Sequence, residues 1–157
     1  MPRANGQEES PLTKFQIVID AKDPVNLVKF WTQALGYIPE PPPKGFQSWI
    51  EYYTKMGVPK EELFEEPDSI VDPKGNGPRI WFHVVPESKI CKNRLHIDLN
   101  VSGGFGVPMK LRRELVDAEA ARLVKIGATR LETLEDEGIE HYGVAMCDPE
   151  ENEFDIN

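Results

Sequence analysis

Two stretches of this chain carry the same order of elements, and that repeat limits the possible folds more than any single motif does. The first runs from a short strand (Phe15–Asp20) through an amphipathic helix (Asp23–Leu35) to a glycine and strand (Gly36–Ile38). It continues with Val71-Asp72-Pro73-Lys74-Gly75-Asn76-Gly77 and a strand (Arg79–Val85). The second has a strand (Arg94–Val101), a helix (Lys110–Ile126), then Gly127 and a strand (Ala128–Glu132). A strand (Tyr142–Cys147), the turn Asp148-Pro149-Glu150-Glu151-Asn152 and a last strand (Glu153–Asn157) complete it. A repeat of this kind means a duplicated supersecondary unit. Two strand–helix–strand–strand–strand units predict an α+β fold whose halves close around one shared cavity.

The first helix shows why each half should hold together. Leu27, Val28, Trp31, Ala34 and Leu35 form one apolar stripe at the helical period, with Lys29, Thr32 and Gln33 opposite. Asp23 suits the N-cap, Pro24 the first helical position and Gly36 a left-handed stop. Residues 1–13 read as a flexible polar tail and 14–157 as one domain, with modules at 14–87 and 92–157. Gly36 to His83 spans 47 residues and Gly127 to Asp155 only 28, so the first module carries an insertion, placed at 40–67. Its Pro41-Pro42-Pro43 run breaks regular structure, and Ser48–Met56 and Lys60–Phe64 read as short helices. A lid, a wall or mere decoration are all open readings for it.

The strands alternate cleanly. In 94–101 one face carries Leu95, Ile97, Leu99 and Val101, and the other Arg94, His96, Asp98 and Asn100. In the other three strands the split is Ile80, Phe82 and Val84 against Trp81, His83 and Val85, Ile17 and Ile19 against Gln16, Val18 and Asp20, and Phe154 and Ile156 against Glu153, Asp155 and Asn157. If the helices cover the apolar faces, the opposite faces line a concave surface rich in ionisable groups. Four side chains stand out there, one from each of four strands: Gln16, His83, His96 and Asp155. Two imidazoles and a carboxylate suit zinc, nickel, iron or manganese, with the Gln16 amide oxygen as a weaker fourth ligand. Each histidine also has a structural reading, His83 in a semi-polar pocket beside Trp81 and His96 hydrogen-bonded to Asp98 or Arg94.

Other residues point to structure. Cys147 and Trp31 belong to the core, and His141 to an exposed strand edge. Asp72 and Asp148 bond backbone amides in their turns. Glu132–Glu140 reads as a solvated acidic loop. The formal net charge of −9 excludes a phosphate-tracking basic face, so nucleic acid and anionic membranes are not expected partners. No apolar run is long enough to span a bilayer, and the two cysteines, Cys91 and Cys147, form no disulfide framework. A cytoplasmic location is expected.

Several segments together resemble a known family. They are Asp23-Pro24 after a strand, Phe30-Trp31, Ala34-Leu35-Gly36-Tyr37, Asp72-Pro73 with Gly75, Lys92-Asn93-Arg94-Leu95-His96-Ile97-Asp98-Leu99, Gly127-Ala128-Thr129, and Asp148-Pro149-Glu150 with Asn152-Glu153-Phe154. Over residues 14–157 the chain resembles the glyoxalase-like group of the vicinal oxygen chelate superfamily, which includes glyoxalase I, bleomycin-resistance proteins and extradiol dioxygenases. The resemblance implies paired βαβββ modules in a cup-shaped mixed sheet with helices outside, often dimeric, holding a small molecule in the cup. It also implies metal ligands on the first and last strands of each module, matching Gln16, His83, His96 and Asp155. A shift of two residues along the same face puts Trp81 in place of His83. Glyoxalase I carries glutamates where this chain has His83 and Asp155. Glu151 replaces the usual turn glycine, which leaves that turn free to take another form.

Two functions follow. One is a divalent-metal enzyme of lyase or isomerase type that chelates a small oxygenated molecule through an enediolate-like intermediate, with Asp155 as the base. The other is a metal-free protein that sequesters a small molecule, as bleomycin-resistance proteins do. Trp49, Trp81 and Asp98 are the expected ligand contacts.

Overall fold

The computed structural model describes residues 13–157, so nearly all of the expected tail at 1–13 lies outside the described residues. The first module is β1 (Gln16–Ala21), α1 (Pro24–Leu35), β2 (Ile38–Pro39), α2 (Trp49–Lys55), β3 (Ser69–Val71) and β4 (Arg79–Val84). The second is β5 (Asp98–Leu99), α3 (Met109–Lys125), β6 (Thr129–Asp136), β7 (His141–Cys147) and β8 (Glu153–Ile156). Each module makes a four-stranded mixed sheet, ordered β1-β4-β3-β2 and β5-β8-β7-β6. In both, the first and last strands pair in parallel and the rest antiparallel. The fold is the expected α+β pair of βαβββ units.

The local chemistry of α1 follows the sequence closely. Asp23 accepts the Asn26 N–H at 3.1 Å, Pro24 opens the helix, and Gly36 closes it at φ 69°. Leu27, Val28, Phe30 and Trp31 are buried against Ile70, Ile80 and Phe82. Val116, Ala120 and Leu123 of α3 belong to the same core as Val144 and Met146 of β7. The two modules share that single core. The Trp31 and Phe30 rings reach Phe154 of β8 at centroid distances of 5.2 and 5.9 Å. The Trp31 indole N–H donates to the buried Asp148 carboxylate at 3.0 Å. Among the described residues, no helix is long and apolar enough to cross a membrane.

Three elements differ from the sequence expectation. The strand expected at 94–101 is reduced to Asp98–Leu99. β5 is an edge strand beside β8, and the backbone bonds between the two segments involve only Ile97, Leu99, Val101 and Ser102 on its side, so residues 94–96 stay outside the ladder. The acidic stretch 132–140 is not a loop. It forms most of β6 and a turn of 3-10 helix (Glu137–Ile139), with β6 paired along β7. β6 is the outer edge of its sheet, where charged side chains on both faces hide the strand period and also discourage edge-to-edge association. β3 is too short, at three residues, to show a period at all.

The two Asp-Pro turns take the same form. Asp72 accepts the Lys74 and Asn76 amides, and Asp148 those of Glu150 and Asn152. Gly75 sits at φ 72° and Glu151, in the matching place, at φ 67°. The glycine is lost but its conformation is kept, because the aspartate bonds dictate it. A non-glycine residue held left-handed costs roughly 1–2 kcal/mol, of which glycine's extra chain entropy would return part. Glu151→Gly should therefore raise stability by about 0.5–1 kcal/mol in urea unfolding, whereas a turn free to relax would show no gain.

Candidate functional site

Strand register decides which side chains can act together. Across β1 and β4, Gln16 faces Arg79, Val18 faces Trp81 and Asp20 faces His83. Across β5 and β8, Asp98 faces Asp155. Phe15-Gln16-Ile17-Val18 and Leu95-His96-Ile97-Asp98 hold the same place in the repeat, so Val18 corresponds to Asp98. The first-module counterpart of Asp155 is then Trp81, the alternative reached by the two-residue shift. Gln16 and His83 lie four register positions apart, roughly 13 Å along parallel strands. One ion cannot bridge both.

Each of these two is engaged locally. Arg79 donates to the Gln16 amide oxygen and, through Nε, to Glu40, both at 2.8 Å, and to Ser69 at 3.0 Å. His83 Nδ1 lies 3.3 Å from Asp20, and its ring packs on Trp81 at 4.8 Å. The Trp81 indole donates to Asp68 at 2.9 Å. Glu40 opens the insertion and Asp68 directly follows it, while its Trp49 donates to the Glu40 carbonyl at 2.9 Å and stacks on Tyr53. Burial, then the Asp68 charge, pushes the Tyr53 phenol up. The insertion thus walls the Arg79–Trp81 part of the first sheet's open face.

The second sheet gathers a different set. His96, Asp98 and Asp155 place one ligand atom each within 4.8 Å of one another, the arrangement of a candidate metal centre. His96 Nδ1 is 3.7 Å from Asp155 Oδ2. The two carboxylates stand directly opposite on neighbouring strands, a pairing of like charges that is unfavourable unless a cation lies between them. One imidazole and two carboxylates fit a borderline divalent ion. His141 opens β7 on the face that carries Asp155 and is half-buried, not exposed as the sequence suggested.

The trio opens beside a shallow depression lined by Cys91, Lys92, Asn93, Arg94 and His96. A larger cavity, about 730 Å³, runs along the other side of that segment. Ile17, Ile19, Trp31, Ile97 and Phe154 make it apolar, with Asp20, Glu87, Arg94 and Glu150 adding charge. None of the trio lines it, nor does any residue of the insertion. Its volume suits a small organic molecule.

A model of the glyoxalase-like domain matches residues 16–157. The chain belongs to that family. No curated protein sequence matches it, but solved structures share its fold. A glyoxalase/bleomycin resistance protein/dioxygenase family enzyme from Burkholderia phytofirmans PsJN is 18% identical, with a TM-score of 0.54 over 90% of this chain and 94% of that one. FosX, a fosfomycin resistance protein from Listeria monocytogenes, is 13% identical in a mutant form complexed with Mn(II) and 1S,2S-dihydroxypropylphosphonic acid. Its TM-score is 0.55 over 90% of this chain and 86% of that one. A glyoxalase-related enzyme from Fulvimarina pelagi is 15% identical, with a TM-score of 0.52 over 92% and 87%. At these identities the likeness is one of fold.

Within this glyoxalase-like domain, sequence reasoning missed the linker that forms the cavity wall. Lys89 pairs with Glu153 at 2.8 Å, and Glu153 also accepts the Asn93 N–H at 3.0 Å. Together they pull the Glu153 carboxyl down to about 2. Only the Lys-Glu complementarity of 89 and 153 hinted at this, and nothing local linked them. Because the folded value lies below the unfolded one, the contact stabilises at pH above the ordinary glutamate range and fades as pH falls toward 2. Glu153→Gln should cost on the order of 1 kcal/mol at neutral pH and lose less stability than the parent between pH 5 and 2. Parallel pH curves would rule the clasp out.

Proposed function

We propose that this glyoxalase-like domain binds a small oxygenated molecule with the help of a divalent ion held by His96, Asp98 and Asp155. The observation that supports this reading is the trio itself: two carboxylates face each other with an imidazole beside them. Among the described residues neither carboxylate has a lysine or arginine partner. A divalent ion bound there supplies Lewis acidity that stabilises negative charge on the molecule's oxygens. Asp155 is assigned the proton-accepting role in lyase or isomerase chemistry, and the His96 ring orients it. Manganese, iron, zinc and nickel all suit the donors. FosX, whose mutant form is complexed with Mn(II), gives the same fold a precedent for a divalent ion. Gln16 and His83 fall outside this assignment, since Arg79 and Asp20 already hold them. The exposed Phe15, Val18 and Leu95, from β1, the residue before it and the approach to β5, favour pairing of two copies.

A metal-free binder is the second reading. Trp81 stands where a fourth ligand would be needed, and with Trp49 and Tyr53 it offers stacking surface on the first sheet.

Elemental analysis of untagged protein separates the two readings. The first expects close to one equivalent of metal, lost in His96→Ala and Asp155→Ala and retained in His83→Ala. Metal that stays in His96→Ala, or protein that takes up none on incubation with each of the four ions, contradicts it.

A further inference from the structure

Strand alternation turns Ile17 and Ile19 of β1 and Ile97 before β5 to the core side, with Ile80, Phe82, Leu99 and Ile156. The last four are buried, but Ile17, Ile19 and Ile97 are only half-buried, as is Val85 after β4. The difference lies in the gap between the modules. β1 ends one sheet and β5 the other, and residues 85–97 pass between them as a linker. The gap is the cavity of about 730 Å³, and all four half-buried residues line it, with Trp31 and Phe154 behind them. Apolar surface left open to water in a concavity is surface that an apolar ligand covers favourably.

The charges on the wall choose the sign of that ligand. Lys89 and Glu153 neutralise each other. Asp20, Glu87 and Glu150 remain, against one guanidinium, that of Arg94. Among the described residues none of these three carboxylates pairs with a lysine or arginine. Asp20 meets the His83 ring, and Glu150 accepts the backbone amides of Lys22 and Asp23. Lys22 lies outside the wall and sends its ammonium to the Ser88 hydroxyl at 3.3 Å. Apolar walls screen charge less than water does, so this acidic excess raises the local concentration of cations.

From this we infer that the cavity between the modules binds a small amphipathic cation. Its apolar body would lie on Ile17, Ile19 and Ile97, and Asp20 and Glu87 would meet its ammonium group. None of His96, Asp98 and Asp155 lines the cavity, so the inference stands or fails apart from the metal reading.

Three probes of matched shape test it: phenethylammonium, phenethyl alcohol and phenylpropanoate. Each is titrated into the full chain at constant ionic strength while the isoleucine methyl signals are followed by NMR. Phenethylammonium should shift the Ile17, Ile19 and Ile97 methyls saturably and leave those of Ile38 on β2 and Ile70 on β3 in place. It should bind roughly tenfold more tightly than the alcohol, with phenylpropanoate the weakest. Glu87→Gln, an exposed change, should weaken the cation several-fold and leave the alcohol unaffected. Glu61→Gln removes the same charge from the exposed surface of the insertion and should alter neither. Absence of saturable shifts at the three cavity isoleucines overturns the inference, as does equal affinity for the three probes or tightest binding of phenylpropanoate. Cation binding that Glu87→Gln and Asp20→Asn both leave unchanged overturns it too.

Discussion

The buried contact of Trp31 with Asp148 and Phe154 makes one molecule of two modules. Trp31 comes from the first helix, and its ring lies edge-on to Phe154 on the last strand. Its N–H reaches a carboxylate that also accepts the Asn152 side chain and two turn amides. Burial pushes the Asp148 carboxyl up, and these donors, Asn152 foremost, oppose the shift. Removing one donor leaves a buried acceptor short of a partner, typically at about 1–3 kcal/mol. The apolar cavity between the modules has this same tryptophan in its wall, so cavity and core depend on one contact.

Duplication has left the two sheets with the same topology and different chemistry. Where the second module sets Asp98 against Asp155, the first sets Val18 against Trp81. One pair is acidic and open, the other apolar and backed by the Arg79–Glu40–Ser69 network and the insertion. A site built by both halves equally would need ligands from both. On the proposed reading the side chains divide the work, with the candidate ion ligands on one sheet and the candidate contact surface on the other.

Much of this was legible in the sequence. The period of α1, its cap and its stop all appear in the structure, because each depends on neighbours within a few residues. Faces were legible too in β1 and β8 and in the first four residues of β4, where alternation survives. Register was not. Whether Trp81 or His83 lies level with Asp155 depends on how β4 slides along β1, and both choices keep the same face. The β6 edge was hidden by its charges, and the Lys89–Glu153 clasp by the distance between its partners along the chain. Glu151 is the opposite case: the residue departs from the turn's usual glycine, while the aspartate's bonds keep the turn.

The central claim is that the second sheet alone carries the ion-binding residues. The chain has three histidines, His83, His96 and His141, so their ring signals can be resolved individually by NMR. Sub-stoichiometric Mn(II) added to the labelled protein should broaden the His96 ring first and leave His83 sharp. Equal broadening of His83 and His96, or broadening of His83 first, would contradict the account.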